Sequence, residues 1–156
     1  LQQLQFESSW KKTISPKDQQ HIEQVFLETK QTEENRINFT ALWEAKNHKG
    51  DLLVTVLIHN PTEDAAIFLS KRLQYVKDDE VIATHTFTLP SLVVEQHTSM
   101  PWTFIFPNES LNHDATWKKG KLKCIKNKSA SALVATYGLG LRLLVPPKTF
   151  GLNRRR

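Results

Sequence analysis

The feature that most constrains this chain is an apolar period of two. It recurs in short stretches, and a turn signal closes each one. In residues 37–45 (INFTALWEA) every odd position is apolar. Residues 52–59 (LLVTVLIH) put Leu52, Val54, Val56 and Ile58 on one face. Residues 81–89 align Val81, Ala83, His85, Phe87 and Leu89, and residues 102–106 (WTFIF) repeat the pattern. Side chains on a strand alternate between faces, so this period predicts half-buried strands. Residues 66–69, 73–77 and 92–95 are shorter candidates. The turns fall at residues 47–50 (NHKG), 60–64 (NPTED), 78–80 (DDE) and 96–101, and Pro90 and Pro107 close two of the strands. Short strands at this spacing, with no helix between them, exclude a doubly wound α/β fold. The expected fold is mainly β: an immunoglobulin-like antiparallel β-sandwich of about seven strands with one N-terminal α-helix.

The helix announces itself at Ser15-Pro16-Lys17-Asp18. A serine N-cap, a proline at the first helical position and an acid in the first turn all suit a helix start. Ile22, Val25 and Phe26 follow at helical spacing, and the pattern fades near Lys30. That stripe needs an apolar partner. Leu42, Leu53, Leu57 and Ile105 lie on the strand faces opposite the main core, and the helix is expected to cover part of them. The main core itself is expected to hold Phe39, Trp43, Val54, Val56, Ile58, Phe87, Trp102, Phe104 and Phe106. Trp10 and Trp117, near the ends of this region, read as packing lids or partner contacts.

Charge divides the chain. The net +5 resolves into −6 for residues 1–117 and +11 for residues 118–156, because all sixteen acids precede Lys118. The expected organisation is therefore a helix-plus-sandwich domain over 1–117 and a basic tail over 118–156. The tail reads as disordered or loosely docked, and a frameshift would account for its acid-free composition. One more strand near 122–125 is the expected exception, since it would finish a sheet edge. The lysine run at 118–128 has the electrostatics for nucleic acid but no interleaved aromatics, and a solvated tail is the ordinary meaning of such a run. No nucleic-acid partner is expected.

Chemistry-bearing motifs are sparse. The six histidines (21, 48, 59, 85, 97, 113) show no metal-ligand spacing with one another or with Cys124. They read as surface or strand histidines, with His85 half-buried on its apolar face. Cys124 is the one cysteine, which excludes an intrachain disulfide and favours a reducing compartment. Neighbouring lysines would lower its pKa, yet no Cys-His motif surrounds it. Asp78, Asp79 and Glu80 lack the alternation of a cation-binding loop and read as a hairpin tip. There is no phosphate-binding glycine loop and no nucleophile elbow. No catalytic residue, cofactor or metal is expected. No signal peptide is visible at LQQLQFESSW, and no stretch is long and apolar enough to span a membrane.

Several strings carry a resemblance: Trp10 with Ser15-Pro16, Ile37-Asn38-Phe39, Trp43-Glu44-Ala45, residues 50–56 (GDLLVTV), Asn60, and residues 98–107 (TSMPWTFIFP). The last is the most specific. From Leu4 to about Trp117 the chain resembles the domain of S-layer assembly proteins of the accessory Sec system, known from Bacillus-type Gram-positive bacteria and often present there in two copies. The resemblance implies a non-enzymatic protein-binding module assisting export or assembly of surface-layer proteins. It would act in the cytoplasm, or peripherally at the inner membrane face, beside accessory Sec components or surface-layer clients. The alternative is an intracellular sandwich-type regulator or protease inhibitor. Binding is expected through a sheet edge or through the outer apolar face at Leu53 and Leu57.

Overall fold

The computed structural model describes residues 1–31 and 35–125. Among these residues, seven strands and two α-helices run in the order β1 (Gln3–Leu4), α1 (Ser8–Thr13), α2 (Pro16–Thr29), β2 (Asn38–Lys46), β3 (Leu52–Asn60), β4 (Ala66–Lys77), β5 (Glu80–Val94), β6 (Thr98–Phe106) and β7 (Lys121–Cys124). One sheet has the order β1-β6-β3-β2 and the other β5-β4-β7. The fold is mainly β in two sheets, as the alternation requires. The expected purely antiparallel pattern needs correction, because β1 joins β6 in parallel. A two-residue strand carries no readable period, so this pairing has no sequence signature.

One hydrophobic cluster takes side chains from both sheets. Leu52, Val54, Val56, Ile58, Phe104 and Phe106 meet Phe68, Leu73, Tyr75, Phe87 and Leu122, all buried. Phe104 lies at the junction, with ring centroids 5.2 Å from Phe87, 5.7 Å from Phe68 and 6.0 Å from Phe39. Phe39 and Trp102 pack on this cluster only partly buried.

Trp43 is elsewhere, which corrects its assignment to the main core. The β2–β3 register shifts between Ala41 and Trp43. Leu42 is therefore an extra residue, and a bulge reverses which face later residues occupy. Phe39 pairs with Ile58 on the core side, whereas Trp43 pairs with Thr55 and faces outward. There it joins Ile22, Phe26 and Leu57 in a second cluster with Leu4, Phe6, Trp10 and Val25.

Two further bulged strands looked like pairs of short ones. β4 runs unbroken across 66–69 and 73–77, with a register shift between Phe68 and Lys71, where Ser70 adopts φ 53°. β5 continues through Pro90, which does not end it. Proline is tolerated there because β5 is an edge strand with a free side for the missing N–H.

β7 follows Trp117, where the sequence leaves room for one more strand. It pairs with β4 and buries Leu122 opposite Tyr75. Residues 126–156, the remainder of the basic tail, lie outside the described residues. The approach to β7 is fixed by Tyr75, whose hydroxyl donates to the Trp117 carbonyl (2.8 Å) and accepts from the buried Gly120 N–H (2.9 Å). A Cβ at Gly120 would stand 2.7 Å from the Tyr75 ring. Tyr75→Phe should thus leave a buried donor unpaired and cost about 1–3 kcal/mol, read as a shift in the urea midpoint. An unchanged midpoint would show that the hydroxyl is dispensable.

Candidate partner-binding surface

The outer face of the β1-β6-β3-β2 sheet is built by residues alternating with the core. On β3 these are Leu53, Thr55, Leu57 and His59. On β6 their partners are Ile105, Thr103, Pro101 and Ser99. The centre is tied across the strands by a Thr55–Thr103 hydroxyl hydrogen bond of 2.8 Å.

α2 lies over one half of this face. Its start follows the sequence signal, with the Ser15 hydroxyl accepting from the Asp18 N–H at 3.1 Å. Ile22 and Phe26 then seat on Leu57, with Val25, Leu42 and Trp43 around them. The His21 ring reaches Trp43 at a centroid distance of 6.2 Å. α1, too short to show a period in the sequence, adds Trp10 to this layer; Glu7 caps it by accepting from the Ser9 N–H at 2.9 Å. Trp10 is thus a packing residue. Trp117 likewise packs on the main core, with the ammonium groups of Lys46 and Lys118 over its ring.

The two candidate contact residues are separated by this arrangement. Leu57 is 0% exposed beneath α2, which removes it from the accessible surface. Leu53 is half-buried outside the helix-covered cluster. It pairs with Ala45 on β2 and with Ile105 on β6, and Ile105 is 49% exposed. Ala45, Leu53 and Ile105 therefore form an apolar row across three strands, beside the helix. Ile105 belongs with Leu53 in the candidate site in place of Leu57.

A buried polar hub closes the other end of the face. His59 is 1% exposed. Its Nδ1 lies 2.6 Å from the Ser99 hydroxyl, and its Nε2 lies 3.1 Å from the hydroxyls of Thr29 and Thr40. The Thr29 hydroxyl gives its single proton to the Val25 carbonyl at 2.7 Å, so toward His59 it accepts. That places the ring proton on Nε2 and leaves Nδ1 to accept from Ser99. Gln2 donates to the same Ser99 oxygen and to the Asn60 carbonyl. The hub joins the residue before β1, the end of α2, β2, β3 and β6. Burial pulls the His59 pKa from 6.5 down to about 4. The sequence offered one clue: this histidine shares an outward face with Leu53 and Leu57.

The other chemistry-bearing residues do not converge. His97 pairs with Glu63 at the surface (2.8 Å), and Asp51 holds the turn before β3 through Asn47 and the Asn108 N–H. Desolvation raises the Cys124 thiol above its ordinary pKa, outweighing Lys71; the expected lowering by lysines is corrected. A groove of about 250 Å³ lies near it, lined by Ile37, Ala66, Phe68 and Lys71 among others. Among the described residues no group of three or more His, Cys, Asp and Glu is placed to hold a metal ion. No helix among them is long and apolar enough to cross a membrane.

The described residues thus form a two-sheet β domain with a helical layer on one outer face and an apolar row left beside that layer. The family model described as the SLAP domain matches residues 4–125, and the chain belongs to that family. The match begins in β1 and ends just after β7. No curated protein and no solved structure matches the chain.

Proposed function

We propose that this SLAP domain is a non-enzymatic protein-binding module that assists accessory Sec-dependent export or assembly of surface-layer proteins. Family membership supports the surface-layer context. The observation that carries the binding reading is the Ala45–Leu53–Ile105 row, an apolar strip open beside a helix already seated on the same face. An exposed apolar group with a polar rim is what a protein interface needs at its centre. The partner is a component or client of the accessory Sec pathway, met on the cytoplasmic side. The immunoglobulin-like arrangement is the corresponding reading of the two sheets.

Leu53→Asp combined with Ile105→Asp tests this. Contact through the row should weaken partner capture about tenfold or more, because central interface residues cost upwards of about 1–2 kcal/mol each. The melting transition should barely move, since neither side chain is fully buried. Capture is measured with the immobilised full chain against accessory Sec components and surface-layer proteins. Undiminished capture by the folded double variant would place contact elsewhere, at a sheet edge. Turnover by the purified chain that is lost on one side-chain change would overturn the non-enzymatic reading.

A further inference from the structure

The outer face of the β5-β4-β7 sheet has a different character from the face under α2. Leu122 and Tyr75 are paired and point to the core, so Lys121 and Lys123 point outward, opposite Val76 and Gln74. Arg72 shares that outward side, beside Ile125, whose N–H donates to the Arg72 carbonyl. The β5 residues opposite Arg72 and Gln74 are Thr86 and Thr84. Three cations thus project from neighbouring positions, all exposed. No carboxylate occupies an outward position between Ile67 and Val76, or opposite them on β5 and β7. The nearest acids in sequence sit in the turns at the two ends: Glu63, Asp64 and Glu95 at one, Asp78, Asp79 and Glu80 at the other. Among the described residues none of Arg72, Lys121 and Lys123 forms an ion pair.

Along the same strand the face turns apolar. Ile67, 51% exposed, points outward opposite Val93, and Leu69 is 50% exposed at the bulge. A cationic half joined to an aliphatic half on one sheet suits a surface that is anionic outside and apolar just below. No aromatic ring occupies these outward positions, so the face lacks the stacking platform that single-stranded nucleic acid uses. Bilayer headgroups supply the charge, and the acyl boundary accepts exposed aliphatic side chains.

We infer that the outer face of the β5-β4-β7 sheet is a docking surface for an anionic lipid bilayer. Arg72, Lys121 and Lys123 meet the headgroups, and Ile67 and Leu69 enter the interface. This inference does not depend on the protein-binding reading, which concerns the opposite sheet.

The test is co-sedimentation of the full chain with phosphatidylcholine vesicles, with and without phosphatidylglycerol. Three versions are compared: wild type; Arg72→Gln/Lys121→Gln/Lys123→Gln; and Lys11→Gln/Lys12→Gln/Lys17→Gln, which removes equal charge from the helices. Wild type should bind only the anionic vesicles, and less as salt rises. The sheet variant should bind about tenfold or more weakly, and the helix variant nearly as wild type. Ile67→Asn/Leu69→Asn should weaken the binding that persists at high salt. Each variant is checked for an unchanged melting transition, with Lys121→Gln/Lys123→Gln as the substitute if the triple change unfolds. The inference fails if wild type ignores anionic vesicles, if both triple variants lose binding equally, or if the sheet variant binds as wild type. It also fails if an RNA oligonucleotide competes wild type off the vesicles and proves the tighter ligand.

Discussion

Acidification from pH 7 to pH 4 should remove on the order of 3 kcal/mol of folding stability through His59 alone. In the folded chain burial holds this imidazole neutral until about pH 4. In the unfolded chain it regains its ordinary value of 6.5. Between those limits the unfolded state takes up a proton that the folded state refuses, so stability falls as pH falls. Below about 4 both states are protonated and this contribution stops changing. Ser99, Thr29 and Thr40 contact the ring, and a hydroxyl can accept from an imidazolium but cannot neutralise it. His59→Gln keeps a donor and an acceptor but does not titrate. Urea unfolding from pH 7 to 4 should show a flatter pH dependence for this variant, with the other five histidines cancelling in the comparison. Parallel curves would show that His59 titrates normally in the folded protein.

The largest loss from a single truncation is expected at Phe104. The side chain is fully buried, and three aromatic rings from both sheets contact it. Phe104→Ala should cost about 3–5 kcal/mol, combining lost transfer energy with an uncollapsed cavity between the sheets. Trp102→Ala should cost less, because that indole is only partly buried. Chemical denaturation of the two variants side by side would reverse the assignment if Trp102→Ala proved the more damaging. Trp102 and Phe104 share the core face of β6, paired with Val56 and Val54, and that alternation was legible from the residues alone.

Legibility elsewhere followed the length of the regular pattern. β3 and the start of α2 carry several consecutive signals each, and those agree with the structure at the residue level, whereas β6 begins at Thr98, inside the stretch 96–101 that reads as a turn, and pairs with β3 along its whole length. Signals failed where one inserted residue changed the face. Leu42 sent Trp43 outward, and the shift near Ser70 joined what read as two strands. β1 and α1 are too short for any period to emerge. At the candidate surface, Leu53 was visible as an outward leucine. Covering of Leu57 by α2 was predicted only for part of the face, since sequence does not say how far along a sheet a helix will sit. His59 escaped because its role depends on hydroxyls from three distant segments, which only the fold brings together.

The bulge at Leu42 also bears on how relatives of this domain should be aligned. A strand with one surplus residue belongs to two interiors at once: Phe39 serves the space between the sheets, and Trp43 serves the space under the helix. A homologue one residue shorter here would not carry a harmless loop deletion. It would have to exchange the chemistry of every β2 position beyond the gap, charged for apolar and apolar for charged. A change of length at this point would therefore mark a relative whose helical layer is rebuilt or lost, even where the surrounding residues still align.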